Sequence, residues 1–333
     1  MKKFLQKLPA EARFILLTYL AGMIFFSLLR LVLIAAHFHL VNQIPFATMI
    51  EALLMGLRFD TVISGYFLIL PLLLFFLFSI SGRSPQLLSS FIYVILIAIY
   101  SVGFFICCAD IPWFAHDETR LTVAALHWTN TPGMMLKFVF EDINNYPAVI
   151  AFIVVIFSFI KVLKRIKKRT LDKTPKGKPT SFSTITFILL IGITLLGIRG
   201  RVAIKSPIRW GTAFFSQYNF ANQLGLNPVY TFTRSWLDSR NVNNLRINYL
   251  EDKKAIENIK SFYGINPDNE LYSPVARKVI TTGEVKKYNV VLVLMEGMSA
   301  KNMAHFGNTN HLTPVLDSLF DQGISITDFY SDG

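Results

Sequence analysis

Apolar residues along this chain gather into long unbroken blocks, not into short stripes separated by polar positions. Five blocks, roughly 14–38, 61–80, 87–109, 146–163 and 182–198, each approach the ~20 residues a helix needs to cross ~30 Å of hydrocarbon. The pattern therefore predicts an α-helical membrane domain with five transmembrane helices. The first block, Phe14 to Phe38, is too long for the core of a signal peptide and lacks a small-residue cleavage pattern, so it reads as a retained span.

The polar positions between the blocks orient them. Lys2, Lys3, Lys7 and Arg13 precede the first block, and the densest basic run, Lys161 to Lys178, separates the fourth from the fifth. Short basic segments stay on the cytoplasmic side. Both signals agree with a cytoplasmic N-terminus, the loop around Arg83 inside, and everything after Ile198 outside. The expected location is the bacterial cytoplasmic membrane. The same run accounts for much of the formal charge of +12, which excludes nucleic acid as a partner.

Composition agrees. At 53% hydrophobic and 16% charged, with 30 Phe, the chain is too apolar for a soluble domain, where about 25% of residues are charged. The only cysteines, Cys107 and Cys108, are adjacent inside an apolar block. They provide no disulfide framework and read as buried thiols.

Several charges sit close to the expected spans. Residues 46–60 (FATMIEALLMGLRFD) predict an amphipathic interfacial helix leading into the second span, with Arg58 and Asp60 at its outer edge. Arg30 lies within the first span and must face protein or snorkel outward. Two readings stay open for these charges, a lipid-headgroup pocket or structural pairing. Residues 110–145 read as an outer wet loop carrying Asp110, Asp117, Glu118, Glu141 and Asp142. His116, Asp117, Glu118 and His127 there match no compact metal-ligand spacing. Arg199, Arg201, Lys205 and Arg209, just past the fifth span, suit either anionic lipid or plain interfacial anchoring together with Trp210.

Beyond the membrane, 199–287 reads as a connector. Residues 249–264 carry Ile256, Ile259 and Tyr263 on one face of an amphipathic helix ended by Gly264, and 266–274 form a turn-rich linker. At 288 the character changes. The run 289–295 (NVVLVLM) predicts a strand buried on both faces, ending in Glu296 and Gly297. Ligands of open α/β sheets gather at such strand ends. Two roles stay open for Glu296, a ligand for a hard or borderline cation, or a solvated or capping carboxylate. Thr313 and Pro314 then start a helix with the apolar stripe Val315, Leu316, Leu319 and Phe320, Gly323 ends it, and 324–330 predict a second strand.

These residues resemble a known family. NVVLVLMEGMSA followed by HLTPVLDSLFDQGISITDFYSDG is similar to the opening of the sulfatase and alkaline-phosphatase superfamily. GLRFD at 56–60 and NPVY at 227–230, with the five spans, resemble lipoteichoic-acid-synthase-like phosphoglycerol transferases. The resemblance implies that 288–333 begin an α/β alkaline-phosphatase-like catalytic domain (β-α-β) in which Glu296 binds a divalent metal, Mn2+ or Zn2+. It implies a phospholipid donor, an envelope glycan or lipid acceptor, and a covalent phospho-Thr intermediate. Transfer of phosphoethanolamine and sulfatase-like hydrolysis are the alternatives within the superfamily; a non-catalytic polytopic membrane protein is the alternative outside it. By this resemblance the nucleophilic Thr falls after Gly333, since Thr313 suits a helix cap and Ser325 and Thr327 lie in the second strand. The 333 residues are thus expected to be truncated within the start of that domain and inactive by themselves.

Overall fold

A computed structural model describes residues 7–81, 86–130, 133, 141–172, 181–204, 206–241, 250–265, 273, 275–276 and 289–326. Lys2, Lys3, Arg83, residues 173–178, Lys205, residues 266–272 and the end of the second expected strand, 327–330, lie outside them, as does the side chain of His127. The chain divides into two compact units, Met1–Tyr249 and Leu250–Gly333.

In the first unit five helices are long and apolar enough to cross a membrane, as in a multi-pass membrane protein. They are α1 (Ala10–Ala36), α3 (Phe46–Ile80), α4 (Gln86–Asp117), α5 (Tyr146–Thr170) and α6 (Ser181–Arg199), with a single turn, α2 (Phe38–Val41), between the first two. The five expected blocks are all present, yet α3, α4 and α5 run well beyond them. No interfacial helix separates from the second span. Residues 46–80 form one helix, ~50 Å long at 1.5 Å per residue. The reason is continuity of its inner face: Ala52, Met55, Phe59 and Asp60 are buried in line with Ile63 and Leu68, while Glu51 and Arg58 point outward. The third span likewise continues to Asp117, so Asp110 is not in a wet loop but is fully buried within α4.

Helix α3 packs along α6, and α1 packs against α3, α4 and α5. Their core explains much of the Phe content. Phe25, Phe26, Tyr100, Phe104 and Phe159 form a ring cluster, with centroids 5.1 Å apart for Phe104 and Phe159 and 5.3 Å for Phe26 and Phe104. Edge-on aromatic pairs add about 0.5–1.5 kcal/mol each beyond burial. Between spans, where lipid is as apolar as the core, close approach matters more. A Cβ at Gly65 would come within 2.7 Å of Ile198, so glycine sets the α3–α6 spacing. Cys107 and Cys108 are free and buried, as expected.

After α6 the chain turns at Gly200 and enters α7 (Asn219–Leu224) and α8 (Pro228–Ser239). Asn227 caps α8 by accepting the Val229 N–H at 2.9 Å, and Pro228 takes the first helical position.

The second unit contains α9 (Asp252–Tyr263), ended as expected by Gly264 in the left-handed conformation at φ +61°. It also contains α10 (Pro314–Gln322), which starts after Thr313 and stops at Gly323. The expected strand at 289–295 does not form among the described residues, and Val290–Leu294 are 68–86% exposed. An apolar run becomes a buried strand only where neighbouring strands take up its N–H and C=O groups. The α/β arrangement expected for 288–333 is therefore limited, among described residues, to its helix.

Candidate functional site

The strongest polar feature of the molecule was not legible as a unit in the sequence: two buried Arg–Asp pairs in the first unit. Arg30 donates from both terminal nitrogens to Asp60, at 2.7 Å each, and from Nε to the carbonyl of Leu224 at 3.0 Å. Asn227 donates a third hydrogen bond to Asp60, Nδ2 to Oδ1 at 2.8 Å. In the second pair, Arg120 donates to Asp110, which also accepts the Leu121 N–H at 2.7 Å. Arg120 reaches the carbonyls of Gln223 at 2.8 Å and Leu226 at 3.2 Å. None of the four charged residues is more than 5% exposed.

The two motifs behind the membrane-part resemblance meet here. GLRFD supplies Gly56, Phe59 and Asp60; NPVY supplies Asn227 and Tyr230. A Cβ at Gly56 would run into the Arg30 guanidinium, so glycine admits the arginine against α3. Phe59 and Tyr230 pack edge to face at 4.9 Å, and the Tyr230 hydroxyl donates to the Ile208 carbonyl at 2.9 Å. Partial burial holds that phenol above its ordinary pKa. Of the two readings for Arg30, structural pairing is the one formed, and its partner is Asp60; Arg58 instead donates to the Gly200 carbonyl at 3.0 Å.

Buried ionisable groups in a membrane domain default to a functional hypothesis. Size decides against a substrate pocket here. The gap lined by Phe26, Leu29, Arg30, Cys107, Arg120, Asn227 and Pro228 is about 10 Å³, space for about one water molecule. The cluster acts as a clamp. Each guanidinium bridges a carboxylate on a span and the backbone of residues 223–226, fixing that segment on α1, α3 and α4. A lone acidic residue inside an otherwise apolar stretch, as at Asp60 and Asp110, was the available sequence signal; the partners at 120, 223, 224 and 227 were not.

The sequence-predicted metal ligand lies in the second unit. Glu296 is exposed, in a turn with Gly297 at φ +73°. No group of three or more His, Cys, Asp or Glu among the described residues is placed to hold a metal ion, and this includes Glu296 and the 116–118 cluster. Glu296 and its described surroundings therefore do not by themselves make a metal centre.

A hydrogen-bonded group built on α10 escaped the sequence reading. Asp317, the acid of TPVLD, accepts the His305 N–H at 3.0 Å and the Thr313 hydroxyl at 3.1 Å. Thr313 thus precedes α10 as expected but bonds a carboxylate, not the backbone. These contacts, the His305 N–H first, hold Asp317 below the ordinary carboxylate pKa. The His305 ring meets Asp321 at 3.0 Å and Ser325 at 3.1 Å. The arrangement staples the 303–306 turn to α10.

Compared with protein-family models, curated proteins and solved structures, the chain shows no match.

Proposed function

We propose that this protein is a membrane-anchored, metal-dependent transferase of the bacterial cytoplasmic membrane, moving a phosphoglycerol-type headgroup from a phospholipid to an envelope glycan or lipid acceptor. What supports this is the succession, in one chain, of five membrane-crossing helices and an apolar run ending in Glu296–Gly297 followed by the TPVLD helix. Within this reading the N-terminus is cytoplasmic and Glu296 is one ligand of a Mn2+ or Zn2+ site whose other ligands remain to be found. Anchoring suits the chemistry because a lipid donor is confined to the bilayer surface.

The test uses membranes from cells expressing the gene in its full reading frame, supplied with phospholipid labelled in the headgroup and with Mn2+. Label should pass to an acceptor or be released, and Glu296→Ala should abolish this. Undiminished transfer by Glu296→Ala, or no difference from membranes lacking the gene, would overturn the reading. A non-catalytic polytopic membrane protein is the alternative reading. It expects Glu296→Ala to behave as wild type in every assay.

A further inference from the structure

A further cavity in the first unit lies away from the charged clamp. It is a cleft of about 490 Å³ between α8 and the spans α3 and α4. Its walls include Phe67 of α3, Val102 and Ile106 of α4, and Val229, Phe232 and Trp236 of α8. Volumes of about 300–1,000 Å³ with apolar walls and few polar groups are typical of small-ligand sites.

Shape and position narrow the occupant. Ala98, Val102 and Ile106 recur every four residues, so one wall is a stripe along α4 about 12 Å long. That stripe runs with the axis of a membrane-crossing helix, roughly the direction bilayer chains take. Val102 is 60% exposed, so the cleft is open along its side. An extended hydrocarbon chain lying in the cleft would follow that stripe and meet apolar walls on the α4 and α8 sides.

Charge supplies the second half of the argument. The Arg240 guanidinium stacks over the Trp236 ring at 4.1 Å. Stacking of this kind fixes a cation at an aromatic face while leaving its N–H edge available. Arg240, which follows the last residue of α8, pairs with no carboxylate among the described residues, whereas Arg234 within α8 is engaged by Asp238 at 3.0 Å. One cleft residue thus carries a guanidinium suited to a phosphate.

We propose that this cleft is a phospholipid site, taking one acyl chain of an anionic phospholipid with its phosphate on Arg240. The site belongs to the membrane unit alone and stands whether or not the chain is a transferase.

Trp236 reports on it. In a protein whose Trp113, Trp128 and Trp210 are changed to Phe, fluorescence is followed in phosphatidylcholine vesicles containing increasing fractions of phosphatidylglycerol brominated on one acyl chain. Quenching should saturate at a fraction on the order of five-fold lower than with brominated phosphatidylcholine, the preference one basic side chain gives near an anionic headgroup. Arg240→Gln should remove that difference. Val102→Phe, which fills the cleft from a lipid-exposed position, should abolish saturation. The comparison of the two brominated lipids needs neither variant and stands if either fails to fold. Quenching that rises in proportion to both lipids alike overturns the proposal, as does saturation unchanged by Val102→Phe. Quenching that weakens as crosslinked dimers accumulate would assign the cleft to a second copy and overturn it equally.

Discussion

Replacing Asp60 by Asn keeps the shape of the side chain and removes the charge opposite Arg30. In the folded protein Asp60 accepts three hydrogen bonds, two from Arg30 and one from Asn227, with no solvent exposure. The variant leaves a buried guanidinium without a counter-charge, and breaking such a pair costs about 3–5 kcal/mol. For a unit the size of Met1–Tyr249, each kcal/mol moves the midpoint by about 2–4 °C. Thermal unfolding in mild detergent, followed by circular dichroism, should therefore show a drop of about 6–20 °C. The double variant Arg30→Met with Asp60→Leu removes both charges together and should recover part of the loss, because an apolar pair of similar volume avoids the charge-desolvation cost while Asn227 and the Leu224 carbonyl lose a partner. An Asp60→Asn midpoint unchanged from wild type, or a double variant as unstable as the single one, would refute the clamp.

Gly56→Leu should lower the same midpoint comparably to Asp60→Asn, since the new side chain displaces the guanidinium of Arg30; a neutral effect would show that the arginine can sit elsewhere. Asp317 gives a pH dependence. Its folded pKa lies below the unfolded value, so its contribution is present above the unfolded pKa and is lost as pH falls through the lower folded one. Hydrogen-exchange protection of the His305 amide should fall at acid pH in wild type and be low at every pH in Asp317→Ala, which removes the accepting oxygen. For topology, single cysteines at Asp172 and Ser239 in a chain with Cys107→Ala and Cys108→Ala should be labelled by an impermeant maleimide only from opposite sides of the membrane. Labelling of both from one side would overturn the five-span threading.

The spans were legible because length and apolar content suffice to specify a membrane helix. Their ends were not, because Asp110 and Asp60 look like loop or edge residues until Arg120 and Arg30 are seen beside them. A charge marks a boundary only when it lacks a partner, and pairing across 30 residues is a tertiary fact. The helices at 252–263 and 314–322 could be read from their caps and amphipathic spacing. The apolar run before Glu296 could not be settled the same way. A strand is completed by its neighbours, and none stands beside it among the described residues. The Asp317 staple was hidden inside a motif that pointed only to a helix.

The clamp also sets a timetable for biosynthesis. Arg30 is synthesised well before Asp60, and the Leu224 carbonyl that completes its coordination is 194 residues away. At about 5–20 residues per second that interval is on the order of 10–40 s. Throughout it, the buried charge of the first span lacks its full set of partners, and the bundle can close around Arg30 only once residues 223–227 have been made. Assembly of the early spans is thus governed by a segment made after the last one.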